Sequence, residues 1–158
     1  VIPEKVRRVL REHSLTAIEF ETGATPTAPL AAGALGVDVG QIVKSLLFVG
    51  KNGSFYMVLV PGDRKVSSSM LKRAIGVKSR MATAVETERA TGFSPGGVCP
   101  FGVRGILILL DVHLKVHRTI YPAAGTDASG VPITFEQLKS ITGGEEFDLS
   151  VPDERARP

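Results

Sequence analysis

Leu46 to Val49 form an unbroken apolar run that stops at Gly50-Lys51-Asn52-Gly53, and a second such run fills residues 55–60 after Ser54. Continuous apolarity of this kind marks a strand covered on both faces, and Asn-Gly between two such strands marks a tight hairpin. Strands are therefore expected over 45–49 and 54–60. Elsewhere the period changes. Val6, Val9 and Leu10 recur at helical spacing behind Pro3, a residue suited to a first turn, and predict a helix over 3–12. Residues 17–20 read as a short strand. Residues 21–29 are a loop of threonines and prolines whose Thr27 caps a helix over 30–35, ended by Gly36. Asp38 opens another short helical turn that leads to Lys44.

Pro61-Gly62-Asp63 breaks the chain. A helix over 67–75 ends at Gly76, and residues 78–81 make a short strand. Thr83-Ala84-Val85-Glu86 is a capping-box sequence whose helix ends at Gly92. Residues 105–111 read as a buried strand and 119–123 as another, ending at Ala124-Gly125-Thr126-Asp127. Thr134-Phe135-Glu136-Gln137 is a second capping box, for a helix to about Ile141. Residues 147–151 are a last strand and 152–158 a frayed tail, so the folded domain spans 1–151. No repeat and no linker divides the chain. The hairpin rules out a purely parallel sheet. The expected class is α+β: a single domain with a curved, mixed, mostly antiparallel sheet or open barrel surrounded by helices.

Composition refines this picture only slightly. The 158 residues are 43% apolar but only 6% aromatic, without tryptophan, so one mostly aliphatic core is expected. A formal charge of +3 is compatible with a polyanionic partner but too small to identify one. Arg7-Arg8 and Lys72-Arg73 read as solvated helix faces. The single cysteine excludes an intramolecular disulfide framework and fits a reducing compartment. The sequence has no CxxC, no HExxH and no run of acidic ligands, so neither a structural metal nor a cofactor is expected. Its first residues lack an apolar signal core. The longest apolar run, residues 106–110, is far shorter than a membrane span. A soluble, cytoplasmic protein without a membrane partner is the expectation.

Two stretches carry candidate chemistry. Lys44 begins on apolar ground at the mouth of a strand, so its ammonium must reach water or find anionic or carbonyl partners. Residues 92–102, Gly-Phe-Ser-Pro-Gly-Gly-Val-Cys-Pro-Phe-Gly, are too rich in glycine and proline for a helix or strand. Phe93, Val98 and Phe101 can still hold this loop against a core while its backbone approaches a ligand. Gly96-Gly97-Val98-Cys99-Pro100 either turns N–H groups toward an oxygen or makes a permissive turn, and spacing leaves both open. It is not a phosphate loop, because no Gly-Lys-Ser/Thr follows. Cys99 has no base beside it, which favours a buried structural thiol over a nucleophile. His113 and His117 are four apart but have no third ligand nearby and read as exposed histidines. Asp127 either orders the turn after Gly125-Thr126 or points into a cleft, toward an amine or a ribose hydroxyl.

Four segments, in this order, resemble the YbaK family, the prolyl-tRNA synthetase-associated or insertion editing domains. They are Ala31-Ala32-Gly33-Ala34-Leu35-Gly36-Val37, Gln41-Ile42-Val43-Lys44-Ser45-Leu46, the loop from Thr91 to Gly102, and Ala123-Ala124-Gly125-Thr126. The likeness runs from about Phe20 to Ile141. It implies a free-standing hydrolase that removes a wrong amino acid from tRNA, as the family's Cys-tRNA(Pro) and Ala-tRNA(Pro) deacylases do. It implies Lys44 as the catalytic residue. The substrate-binding set it implies is Thr27, Ser45, Gly96, Gly97, Val98, Cys99, Pro100, Gly125, Thr126 and Asp127. Cys99 departs from the serine or proline expected there. The implied partners are the acceptor end of tRNA and a prolyl-tRNA synthetase, with no metal.

An aminoacyl ester is already activated, so no covalent nucleophile is required. Lys44 would hold the terminal phosphate or ribose, or polarise the ester, and loop N–H groups would hold the developing oxyanion. Two other classes compete. One is a non-catalytic module that binds an acceptor end or a synthetase. The other is a small ester or amide hydrolase using Cys99. The deacylase reading requires Lys44, from the first half, and the Gly-Pro loop, from the second, to face one cavity.

Overall fold

The computed structural model describes residues 1–156. In chain order its elements are α1 (Glu4–Glu12), β1 (Ile18–Glu19), α2 (Ala28–Leu35), β2 (Val43–Gly50), β3 (Phe55–Pro61), β4 (Arg64–Val66), α3 (Ser68–Ile75) and β5 (Ser79–Met81). There follow α4 (Ala84–Thr91), β6 (Ile106–Asp111), β7 (Ser129–Gly130), α5 (Phe135–Thr142), β8 (Glu145–Phe147) and β9 (Ser150–Pro152). Short 3-10 turns occupy Val39–Gln41, Val112–Val116 and Glu154–Ala156.

The two apolar runs form the expected hairpin. β2 and β3 pair antiparallel from Val43 opposite Pro61 to Val49 opposite Phe55, around the Asn52-Gly53 turn. β3 is then flanked by β6, in parallel, giving a five-stranded sheet of order β5-β2-β3-β6-β8. β3 is apolar without alternation because both its faces are covered. Met57 and Leu59 join Val43, Leu47 and Leu110 in the larger core, with Val6 and Leu10 of α1 and Leu138 of α5. Tyr56, Val58 and Val60 face a second cluster with Phe48, Leu71 and Leu149. Among the described residues four strand pairings are antiparallel and two parallel. The sheet is mixed and open, not closed into a barrel, and the helices lie around it.

Helix ends follow their caps. Thr27, Ser67, Thr83 and Thr134 each accept a backbone N–H from the first turn of α2, α3, α4 and α5. The expected strand over 119–123 is absent as a ladder. Ile120 and Tyr121 make only isolated bridges, to Ile133 and Ile42, because Pro122 has no N–H to continue a ladder. The expected strand over 147–151 is split. Glu145–Phe147 extends the main sheet beside β6, while Ser150–Pro152 leaves it to pair with β4, a strand the sequence did not suggest. The expected frayed tail is likewise corrected over 152–156: Pro152 closes β9, and the Asp153 N–H donates to Asp63 O at 2.9 Å. Residues 157–158 of that tail lie outside the described residues. No helix among the described residues is long and apolar enough to cross a membrane.

Candidate active site

The site begins with an interruption in the sheet. β5 pairs with β2 only over Phe48–Gly50. Farther along the same edge, the Val43 N–H donates to Tyr121 O and Leu47 O accepts from the Ala82 N–H. Between these two bonds no strand covers Ser45, and an open cavity of about 750 Å³ lies there. Because the cavity sits against an edge, side chains from both faces of β2 reach it: Lys44 and Leu46 from one, Val43, Ser45 and Leu47 from the other. Its size suits a small-molecule ligand or the end of a larger one.

Lys44 occupies the position its sequence context predicts. Its stem is half-buried on β2 and its ammonium donates to the carbonyl oxygen of Arg64. Burial pushes the amine's pKa below the ordinary lysine value, while the carboxylates of Asp153 and Asp63 pull it up and Arg155 pushes it down. Asp153 and Arg155, from the segment expected to fray, also line the cavity. For Asp153, burial pushes upward, but the Arg155 backbone N–H and guanidinium, with Lys44, outweigh it and hold the carboxyl below its usual range. Only the fold brings these residues to Lys44; a Pro-Asp-Glu-Arg tail offers no periodicity that would reveal it.

Another part of the wall comes from the glycine-proline loop. Pro95, Gly96 and Val98 line the cavity with Lys44, Ser45 and Thr27. Phe93 and Phe101, each 1% exposed, pin the loop into the core at both ends. Lys5 of α1 braces its start: the ammonium donates to Thr91 O and lies 4.3 Å from the Phe93 ring centroid. Thr27 does double duty, lining the cavity while its Oγ1 accepts the Leu30 N–H at 3.4 Å. The Ser45 Oγ is buried and has no hydrogen-bond partner among the described residues.

Six predicted residues are not on the cavity wall. Gly97 is the hinge behind it. A Cβ there would come within 2.8 Å of Thr126 Cα, so only glycine lets the two loops touch. Its N–H is used, donating to Ser94 O at 3.0 Å, which takes it away from any oxyanion. Cys99 is fully buried beside Phe101, and Pro100 is buried with it. Burial raises the Cys99 thiol to about 12, so it is neither a wall residue nor a nucleophile.

Gly125, Thr126 and Asp127 form the turn against which Gly97 rests. Thr126 Oγ1 lies 3.0 Å from Ser129 Oγ, and Ser129 Oγ accepts the Ala124 N–H. Asp127 Oδ1 accepts the Gly23 N–H at 3.1 Å while its carbonyl accepts the Thr25 N–H at 2.6 Å. Asp127 thus orders a turn, the more ordinary of its two expected roles. His113 sits in a 3-10 turn, meets Asp148 at 3.0 Å and does not line the cavity.

The chain also has relatives with the same architecture. The model of the aminoacyl-tRNA editing domain matches residues 22–141. YwhH of Bacillus subtilis strain 168 is 35% identical, over 84% of this chain and 83% of its own. The candidate Cys-tRNA(Pro)/Cys-tRNA(Cys) deacylase EbsC of Enterococcus faecalis is 24% identical, over 92% of both chains. A solved structure described as a candidate trans-editing enzyme for prolyl tRNA synthetase superposes with a TM-score of 0.85 at 35% identity, over 96% of this chain and 99% of that one. The mixed open sheet, the cavity on its interrupted edge and these matches agree: the chain belongs to the aminoacyl-tRNA editing domain family, a family of aminoacyl-tRNA hydrolases.

Proposed function

We propose that this protein hydrolyses, in trans, the ester of a tRNA(Pro) carrying a small wrong amino acid such as cysteine or alanine. The observation that carries the reading is the shared cavity, which Lys44, Gly96 and Val98 line together. The trans mode is supported by the near-complete overlap with a candidate trans-editing enzyme for prolyl tRNA synthetase. A prolyl-tRNA synthetase would be the partner that delivers the substrate, and the acceptor end of tRNA the part that enters the cavity.

In this reading Lys44 provides a point charge for the terminal ribose or phosphate, or for the ester carbonyl as negative charge develops on it. Its ammonium is already held by a carbonyl and lies in the field of the Asp153 and Asp63 carboxylates, so little reorganisation is needed when substrate arrives. The attacking group is water or a group of the substrate itself, since an aminoacyl ester is activated enough to need no covalent nucleophile and the Cys99 thiol is sealed in the core. The unpartnered Ser45 hydroxyl offers a polar group of the substrate a hydrogen bond that the protein does not supply. Thr27, Ala123, Val98 and Gly96 leave room for a small side chain and limit its size. Discrimination by one methylene is worth only about 1–3 kcal/mol, so hydrolysis after charging adds selectivity that a synthetase pocket lacks.

The test is a deacylation panel of mischarged tRNA(Pro) species, with wild type and Lys44→Ala. Loss of one well-placed charge at the reacting ester should lower the rate by about 10²-fold. An undiminished rate in the variant removes Lys44 from the mechanism. Binding without turnover across the whole panel would replace the hydrolase with a binding module.

A further inference from the structure

The Lys44 ammonium is not held by its own neighbourhood in the sequence. It donates to Arg64 O, and Arg64 is itself tied down by the end of the chain. The Arg64 Nε–H donates to Ser150 Oγ at 2.8 Å, and the Arg64 Nη2–H donates to Ser150 O at 3.0 Å. Ser150 Oγ in turn donates to Asp111 Oδ2, while Asp111 Oδ1 accepts the Leu149 N–H at 3.0 Å. Asp111 is 0% exposed and Ser150 2%. Asp111 ends β6, Ser150 begins β9, and β9 pairs with β4, which carries Arg64. Three residues later the chain brings Asp153 beside the same ammonium, its N–H fastened to Asp63 O.

We propose that Asp111 is a positioning residue for Lys44, acting through Ser150 and Arg64, and that the last strand completes the site by this relay. Ser150 and Asp153 lie beyond the region matched by the family model, which ends at residue 141. A buried hydroxyl with one proton can serve only one acceptor at a time. Asp111 takes it, so the Ser150 oxygen is oriented to receive Arg64, and Arg64 presents its carbonyl to Lys44. Asp111, His113 and Asp148 do place possible ligand atoms within 4.8 Å of one another. Both Asp111 oxygens are already engaged by the Leu149 N–H and the Ser150 hydroxyl, which makes the relay the better account of that carboxylate.

The catalytic consequence rests on the deacylase reading above; the placement of the ammonium does not. The experiment therefore has two readouts. Lysines are reductively methylated with ¹³C-formaldehyde, the Lys44 signal is assigned by its loss in Lys44→Arg, and its titration is followed by NMR. The charged groups acting on it are Asp63, Asp153 and Arg155, with Arg64 O accepting its hydrogen bond, so Asp153→Asn changes a neighbour directly while Ser150→Ala and Asp111→Asn act only through Arg64. In wild type burial should hold the Lys44 midpoint below that of the exposed methylated lysines. Ser150→Ala releases Arg64, lets the ammonium hydrate and moves the midpoint up. Asp111→Asn does the same if it folds. Asp153→Asn removes an anion and moves it down. Ser150→Thr, which keeps the hydroxyl, restores the wild-type value.

General loosening would move every variant up, toward the exposed lysines, so the downward shift in Asp153→Asn and the recovery in Ser150→Thr mark a defined position. In deacylation, Ser150→Ala should lower kcat by roughly tenfold to a hundredfold with KM little changed, because misplacing a catalytic group weakens the chemical step. A Lys44 midpoint unmoved by Ser150→Ala, in a folded protein, overturns the relay. If wild type turns over none of the mischarged tRNAs, the deacylase reading fails alone, and the titration still decides where Lys44 is held.

Discussion

At the scale of single residues, Gly97 shows how narrowly the cavity wall is set. Its missing side chain is what allows the glycine-proline loop to rest on the Gly125-Thr126 backbone. The atoms a Cβ would strike are main-chain atoms, which cannot rotate away. Gly97→Ala should therefore cost about 1–3 kcal/mol by overpacking, read as a lower urea midpoint, and should push Gly96 and Val98 into the cavity. A midpoint within error of wild type would mean that the two loops separate freely. Lys44 and Gly97 became candidates through the family resemblance of their segments; spacing alone left the role of the glycine pair open. Asp153 and Arg155 were not candidates, because nothing in their own segment distinguishes a docked tail from a solvated one.

At the scale of elements, α4 illustrates a helix whose ends the sequence states outright. The Glu86 N–H donates to Thr83 Oγ1 at 3.1 Å, and the Thr83 N–H donates to Glu86 Oε1 at 2.9 Å. Thr83→Ala should lower stability by about 1 kcal/mol, measured by urea unfolding; a change of only a few tenths would show that tertiary packing alone holds the helix. The Glu86 carboxyl is held down to about 2, first by the Arg80 guanidinium and then by the Thr83 N–H. Its folded-state value is depressed, so this contribution is whole above the ordinary 4.5 and fades as the pH falls toward about 2. The strands behave differently. The β2–β3 hairpin was legible because local turn chemistry and apolarity coincide at Asn52-Gly53. β4, β7 and β9 were not, since each is two or three residues long and exists only because a distant partner pairs with it.

At the scale of the whole molecule, β3 joins two clusters into one cooperative unit, with Leu59 on one face and Val58 on the other, both 0% exposed. Leu59→Ala should cost about 2–5 kcal/mol by leaving a cavity in the larger cluster. Far-UV circular dichroism and tyrosine emission, the latter reporting on Tyr56 in the smaller cluster in a Tyr121→Phe background, should still shift together in urea. Transitions that separate would show that the two faces of the sheet unfold independently. The sequence alone determined the α+β class, the central hairpin and four capped helices, and it singled out two stretches, around Lys44 and Gly96, that supply part of the cavity wall, because each rests on spacing and composition within a few neighbouring residues. The tertiary structure alone decided that the chain's end reaches Lys44, that Cys99 is sealed in the core, and that the sheet edge opens at Ser45. Those facts depend on contacts between residues tens of positions apart, whose free energy appears only when the chain between them has folded.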